Sequence, residues 1–372
     1  MSGAFRAAHA AGEPWSGLVR SCLAQLDPLP AGANLGFLYA TDALSDDLAS
    51  ILTFLRERTR IADWVGSVGL GICASGIETF ETPGLAILVA ALPEGSFRVF
   101  APIADDFARF AAEMAPWLTQ HAAAVGVVHG DPRQPTLVET LAMLTARSTA
   151  FLVGGLSSAR GTPLQIAGRI VEGGVSGVLL DSEIAVATGL TQGCAAIGPV
   201  RQISEADGNI IMAIEGRPAL EVFKADIGEL LSRDLRRVAG LIFVGLPVPG
   251  SDTGDYLVRN LMAIDVEHQW LAVAHEVAAG ERVLFCRRDA PSARADLERM
   301  LAGLKRRVGE TPKAGLYFSC VGRGPSLFGD NSAELGIVRS ALGDFPLVGF
   351  FGNGEISSDR LYGYTAVLTL FL

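Results

Sequence analysis

The sequence predicts an α/β (α+β) fold of mixed β-sheets layered with helices, arranged as two related lobes. Three observations carry that expectation. The chain has 372 residues and is 49% hydrophobic, enough for two cores, because single cores seldom grow past roughly 250–300 residues. Apolar strands alternate with amphipathic helices, and several strand pairs are joined by glycine turns, which disfavours a pure doubly wound parallel sheet. One order of elements, strand-strand-helix-strand-helix-strand, is written twice.

Taken in order, residues Trp15 to Leu26 read as a helix, ended by the turn Asp27-Pro28-Leu29-Pro30. LGFLYA (35–40) is a strand. A helix from Asp46 to Arg58, capped by Asp42 or Ser45, follows, with Leu48, Ile51, Leu52 and Leu55 at helical spacing. DWVGSVGLGI (63–72) gives a glycine-rich strand and turn, and LAILVAAL (85–92) a strand. Phe97 to Phe100 is expected to pair with that strand across Pro93-Glu94-Gly95. Helix 105–120, strand 124–129, helix 136–146 and strand 150–155 complete this section.

From 165 to 220 the chain reads first as strands broken by glycines, then as a strand, a turn and a helix opened by Pro218. Near the C-terminus LAVAHEV (271–277) and RVLFCRR (282–288) read as strands joined by a glycine turn. A helix from Ser292 to Val308, strand 316–322, helix Ser332 to Leu342, strand 346–355 and strand 364–371 follow. SFRVFAPIADDFARFAAEM matches ERVLFCRRDAPSARADLERM in apolar pattern, and TAFLVGGLSS matches PLVGFFGNGE. The stretch 35–92 resembles a further copy. The expected division is an N-terminal helical extension (1–32), a first domain (33–220) and a second (221–372), with Pro247 to Gly254 a loop in the latter.

Composition excludes several functions. Forty acidic against thirty basic residues give a net charge of −10, which phosphate backbones repel, so no nucleic-acid partner is expected. No apolar run approaches the roughly 18 residues of a membrane helix, and the first residues lack a secretory apolar stretch. No membrane insertion and a cytoplasmic location are the expectation. Five scattered cysteines without a CxxC pair indicate neither a disulfide framework nor a zinc site.

A set of motifs then carries a family resemblance. They are TGLTQGCAAIGPVRQI (188–203), GNIIMAIEGRPALEVF (208–223), YLVRNLMAID (256–265), ERVLFCRRDAPSARADLERML (281–301), CVGRG (320–324) and GFFGNGEIS (349–357). In this order they resemble the FIST proteins (F-box and intracellular signal transduction), with an N-terminal and a C-terminal FIST domain. The resemblance spans about residues 33–360. It implies a sensory module for a small ligand, amino acids being a proposed class. It also implies a separate output partner of kinase, cyclase or chemoreceptor type, and in one branch a heme that senses nitric oxide. It implies no catalytic residues.

Residue by residue, GNGE (352–355) offers glycines Gly352 and Gly354, which permit close backbone approach, with Asn353 and Glu355 beside them. CVGRG places Arg323 at a strand exit, and an arginine fork suits a carboxylate. Glu355 and Arg323 either clamp the two poles of an amino acid, walled by Cys320, Ser319, Asn353 and Tyr364, or pair with each other and leave the glycines as turns. A second cluster, with Gln192, Cys194 and Arg201 around a Gly-Pro turn, reads as a ligand site or as a buried thiol beside a surface arginine. GGLSSARG (154–161) mirrors GFFGNGE and joins the same pocket if the lobes face each other.

Enzymatic signatures fail. Ser157 lacks the glycine two places on that a hydrolase elbow needs, GLGICASG opens no helix, and no P-loop occurs. No cofactor is expected from the residues. A noncovalent heme would need an axial histidine, and of His9, His121, His129, His268 and His275 the apolar strand contexts single out His129 or His275. An interaction scaffold without ligand is the remaining alternative.

Overall fold

The structure, a computed structural model, describes residues 3–248 and 255–372. The expected loop from Pro247 to Gly254 lies largely outside them. Two compact units result: Met1–Thr191 with Asp296–Leu372, and Gln192–Ala295.

The first unit begins with β1 (Phe5–Ala11), α1 (Trp15–Leu26), β2 (Leu35–Thr41), α2 (Leu48–Thr59), β3 (Asp63–Gly69), the hairpin β4 (Gly71–Ala74) and β5 (Ile77–Phe80), and β6 (Gly84–Ala90). It continues with β7 (Phe97–Ile103), α3 (Phe107–Gln120), β8 (Ala123–Gly130), α4 (Leu137–Ser148), β9 (Phe151–Leu156), the hairpin β10 (Gln165–Ala167) and β11 (Ile170–Val171), β12 (Val175–Asp181) and β13 (Val186–Gln192).

The second unit holds β14 (Cys194–Ala196), β15 (Arg201–Asp207), β16 (Ile210–Ile214), β17 (Arg217–Pro218), α5 (Ala219–Ile227), α6 (Glu229–Ser232), β18 (Ile242–Pro247), β19 (Tyr256–Asp265), β20 (Trp270–Val273) and β21 (Arg282–Arg288). The chain then returns through α7 (Ala290–Val308), β22 (Ala314–Cys320), α8 (Pro325–Phe328), α9 (Ala333–Leu342), β23 (Leu347–Gly352), the hairpin β24 (Glu355–Ser357) and β25 (Arg360–Tyr362), and β26 (Thr365–Phe371).

Three sheets of the first unit share one strand order: β1-β6-β2-β3-β10-β11, β7-β12-β8-β9-β24-β25 and β13-β26-β22-β23-β4-β5. In each, a parallel pair (β2–β3, β8–β9, β22–β23) carries an antiparallel hairpin on its second strand. The hairpins are exchanged in a cycle. The one that follows β3 completes the sheet of β23, the one after β9 completes that of β3, and the one after β23 completes that of β9.

Strand alternation explains how these sheets pack. On β2, Leu35, Phe37 and Tyr39 face a shared core, with Val125 and Val127 of β8 and Ala314, Leu316 and Phe318 of β22. The opposite faces are covered by helices. Leu38 and Ala40 meet α1 and α2, Val128 meets α3 and α4, and Tyr317 meets α7 and α9. Near the strand ends Tyr39, His129 and Phe318 form a triangle of rings with centroids 5.6, 6.0 and 6.1 Å apart.

Glycines at Gly66, Gly154 and Gly349 make the parallel pairs close. A Cβ at any of them would overlap the neighbouring strand's carbonyl, at Leu38, Val128 and Tyr317 respectively. The second unit is a separate sheet of order β14-β21-β15-β16-β20-β19-β18, with α5 burying Leu220, Phe223 and Ile227 in its own core.

Mixed sheets layered with helices are therefore present, but several details differ from expectation. The N-terminal residues are not simply helical: Phe5–Ala11 pairs along its full length with β6, although FRAAHAA has no β-branched residue to announce a strand. β6 is flanked on both sides by β1 and β2, so β7 pairs with β12 in another sheet and not with β6. The strand expected at 271–277 ends at Val273, and it pairs with β16 and β19 rather than with β21. The strand 282–288, matched by pattern to 97–103, lies in the second unit's sheet; β13 holds the place of β7 in the third sheet. Pro218 precedes the first helical residue of α5 instead of occupying it.

Candidate functional site

Chain geometry at the end of β22 places an arginine inside the protein. Gly324 adopts φ +54°, a conformation cheap for glycine, and Pro325 then opens the short α8. Arg323, on the turn between β22 and α8, has no solvent exposure. Glu334 lies in the first turn of α9, where a negative charge suits the helix N-terminus, and it too is fully buried.

The Glu334 carboxylate gathers four donors. Oε1 accepts from Tyr317 Oη (2.6 Å), Ser319 Oγ (3.1 Å) and Arg323 Nε (2.8 Å), and Oε2 accepts from the Gly324 N–H (2.9 Å). The Arg323 guanidinium stacks over Phe328 at 4.9 Å. Burial acts to lower its pKa, but the Glu334 carboxylate outweighs this and holds the charge in place. Its two Nη atoms are buried and meet no hydrogen-bond partner among the described residues. One edge of the fork is fixed; the other is unused.

Arg323 is also among the residues around a cavity of about 640 Å³. Leu70, Phe80 and Glu81 contribute from the β4–β5 hairpin and its flanks, Arg160 from beyond β9, and Val321, Arg323, Pro325 and Ser326 from the turn after β22. Ser158 fastens these segments together, donating to the Phe351 carbonyl (2.6 Å) and accepting from the Leu70 N–H (2.8 Å). Arg160 is exposed and is held by Asp42 through its backbone N–H (2.9 Å) and its guanidinium (3.1 Å). Segment 154–161 and the turn at 320–326 thus share one cavity, within the first unit.

Two further carboxyls stand near the arginine. Glu355, fully buried at the start of β24, accepts on Oε2 from Thr365 N–H (3.1 Å) and Oγ1 (2.7 Å). Its Oε1 is buried with no donor among the described residues. Burial pushes its pKa up to about 8, against the pull of Thr365 and Arg323. Glu78 accepts from the Leu335 N–H (3.0 Å) on Oε1 while its Oε2 is buried without a donor among the described residues. Burial raises it to about 7.

The other residues singled out by sequence fall in several places. Cys320 is buried, and its thiol is pushed up to about 12 by burial and then by Glu355, which removes nucleophilic character near neutral pH. Ser319 is committed to Glu334, and the Tyr364 ring lies against Gly322. Asn353 is exposed, with its backbone N–H on Leu156 O (2.9 Å). Gly352 and Gly354 let β9, β22 and the β23–β24 bend approach one another: the Gly352 carbonyl accepts from Val321 N–H (2.9 Å) and the Gly354 carbonyl from Leu156 N–H (2.8 Å). Arg323 lines the cavity and Glu355 does not.

Cys194 and Arg201 belong to the second unit. Cys194 is buried, its carbonyl accepting from Tyr256 Oη (2.6 Å), and Gln192 Nε2 donates to Tyr256 O (3.1 Å). Arg201 is bound to Asp226 (2.6 Å) and Glu215 (2.8 Å), so its fork is committed to a structural pair.

His275 is exposed and lies beyond the end of β20. His129 is buried completely, 3.2 Å from Tyr39 Oη, with Tyr39, Phe318 and Phe350 rings within 6.1 Å. Burial lowers its pKa to about 3. Its Nε2 meets Tyr39 Oη and its Nδ1 is buried, so neither ring nitrogen is presented to a porphyrin in this arrangement.

Glu334, Tyr317, Glu78 and Phe80 were not found by sequence reasoning. Glu334 had a visible signal, an acid in the first turn of an apolar-faced helix, but that pattern describes exposed helix starts equally well.

Comparison with known proteins agrees with the motif order. The family model for the FIST N domain matches residues 34–217 and that for the FIST C domain matches 219–358. An uncharacterized protein of Mycobacterium tuberculosis is 28% identical over 358 residues, covering 91% of each chain. An uncharacterized protein of Mycobacterium bovis is 31% identical over 214 residues, covering 55% of this chain and 54% of its own. No helix among the described residues is long and apolar enough to cross a membrane. The chain belongs to the FIST family, whose domains are sensory domains of signal transduction.

Proposed function

We propose that this protein is a ligand-binding sensor that takes a small metabolite with an anionic group, an amino acid among the candidates, into the cavity beside Arg323. Its output passes to a separate signalling protein of kinase, cyclase or chemoreceptor type. The observation that carries this reading is a fully buried guanidinium whose two Nη atoms lack partners among the described residues, on a residue placed at the wall of a cavity. Leaving such donors unpaired costs roughly 1–3 kcal/mol, and more for a charged group. A ligand carboxylate or phosphate would supply the missing acceptors with fork geometry. The volume suits a small molecule, and Leu70, Phe80, Val321 and Pro325 offer an apolar wall for its body.

Thermal denaturation against free amino acids, hydroxy acids, short carboxylates and inorganic phosphate tests the reading. A ligand at a hundredfold excess over its dissociation constant adds about 2.7 kcal/mol, and Arg323→Met should abolish that gain. If nothing in the panel raises the melting temperature of the unsubstituted protein, the reading fails.

A further inference from the structure

The loops that leave β3, β9 and β23 are tied to one another at matching positions, and two of the three ties are alike. Counted from the close-approach glycines Gly66, Gly154 and Gly349, the carbonyls of Val68, Leu156 and Phe351 stand two residues on, and the amides of Leu70, Ser158 and Asn353 four residues on. Ser158 N–H donates to Val68 O (3.4 Å) and Asn353 N–H to Leu156 O (2.9 Å). A third tie of the same kind would run from Leu70 N–H to Phe351 O. Leu70 N–H donates instead to Ser158 Oγ (2.8 Å), and that hydroxyl donates to Phe351 O (2.6 Å).

One corner is therefore wider than the other two by a hydroxyl. Ser158 is buried and its single proton is committed to Phe351 O, so the group is a fixed spacer. At the matching positions Leu70 has no polar side-chain atom to insert and Asn353 is exposed, so the asymmetry belongs to the serine. The wider corner lies at the cavity. Leu70 lines it, and the Phe351 ring packs at 4.5 Å on Phe80 of its wall. Gly324, next to Arg323, sits against both rings: a Cβ there would stand 3.1 Å from each.

We propose that Ser158 is a positioning residue of the ligand site: its hydroxyl, standing between Leu70 and Phe351, keeps this corner from closing. It thereby keeps open the cavity that Leu70, Phe80, Val321 and Arg323 line. This rests on the cavity being the ligand site. A buried backbone N–H that loses its acceptor must find another. With the hydroxyl gone, Phe351 O is the acceptor in line, and a direct bond to it draws the Leu70 segment onto β23 and narrows the cavity. Ser158 is not itself on the cavity wall, so it acts on a ligand only through the width of the space.

The full chain tests this with two measurements. Crystal structures of the unliganded parent, Ser158→Ala and Ser158→Cys come first. The alanine variant should show Leu70 N–H bonded directly to Phe351 O and a smaller cavity, and the cysteine variant, whose sulfur fills the same gap, an open corner. An alanine variant that stays open, with a water in the hydroxyl's place, overturns the proposal. Calorimetry with benzoate, isovalerate and inorganic phosphate comes second. Ser158→Ala should weaken whichever of these the parent binds by about tenfold or more, and Ser158→Cys should stay within about threefold of the parent. Unchanged affinity in a closed alanine variant refutes the positioning role and leaves the ligand site standing. Should Ser158→Ala fail to fold, the cysteine variant decides: an open corner with binding kept supports the role, and a closed corner or lost binding overturns it. If the parent binds none of the three and no other anion stabilises it, the ligand site fails and the positioning role with it, even where the corner closes.

Discussion

The hairpins β10–β11 and β24–β25 hold the same place in two sheets of one strand order, yet their leading residues live differently. Gln165 spends both ends of its amide on neighbouring carbonyls and a serine. Glu355 leaves an oxygen buried without a donor among the described residues. The same contrast recurs among arginines beyond the strands. Arg160 and Arg133 lie on aspartates, Asp42 and Asp131, and are more than half exposed, whereas Arg323 is buried with half its fork unused. Shared backbone geometry thus sets the frame, and the proposed ligand site lies at a corner that departs from full polar satisfaction.

The largest test breaks the frame itself. Gly349→Ala sets a methyl into the Tyr317 carbonyl, and separating the parallel strands should cost about 3 kcal/mol or more. Thermal and urea denaturation would record it as a sharply lowered transition or an unfolded product. Gly161→Ala, where nothing lies within 4 Å of the new atom, should stay within about 0.5 kcal/mol. Equal behaviour of the two would mean that close strand approach is not what the glycine provides.

These glycines also show how far the sequence could be read. Val-Gly occurs at 65–66, 153–154 and 348–349, and the likeness of 154–161 to 349–355 is visible in the letters. Helices were legible because one face is apolar: Leu48, Ile51, Leu52 and Leu55 are all buried. The exchange of hairpins was not legible, since a four-residue strand such as GICA carries no mark of the sheet it will join. Arg323 was legible as a residue at a strand exit. Its burial was not, because that depends on Glu334, Tyr317 and Phe328 arriving from other elements.

A second test removes the anion that anchors the site. Glu334→Gln leaves Arg323 buried without its counter-charge, and breaking a buried pair from one side typically costs about 3–5 kcal/mol. Asp131→Asn, beside the exposed Arg133, should cost about 1 kcal/mol or less. Parallel melting curves compare the two, and a smaller loss at Glu334 would sink the view of that carboxylate as an anchor.

The matched hairpins supply a third test, in the sign of a pH effect. Glu355 has a folded pKa of about 8 against an ordinary 4.5, so the folded protein holds this proton more tightly than the unfolded chain. Its stabilising contribution is complete below about pH 4.5 and is lost as the pH rises to about 8. Glu355→Gln should therefore flatten the fall in stability between those limits, by up to about 1.4 kcal/mol per pH unit, and change little at pH 4. Gln165→Glu should do the opposite and steepen the fall. Denaturant midpoints at pH 4, 6 and 8 measure both, and identical pH profiles for the two variants and the parent would refute the comparison.

The smallest effect on stability belongs to Arg160→Ala. Its guanidinium is 67% exposed while Asp42 is largely buried, and exposed pairs contribute a median of about 0–1 kcal/mol. The melting temperature should move by no more than a degree or two. Ligand affinity is the sharper readout, because Arg160 shares the cavity with Arg323 but is already held by an internal carboxylate. A cation so neutralised should contribute at most a few-fold to binding of a monocarboxylate, whereas Arg323→Met should remove binding. A loss at Arg160 as large as that at Arg323 would shift the anion's seat from the buried fork to the exposed one.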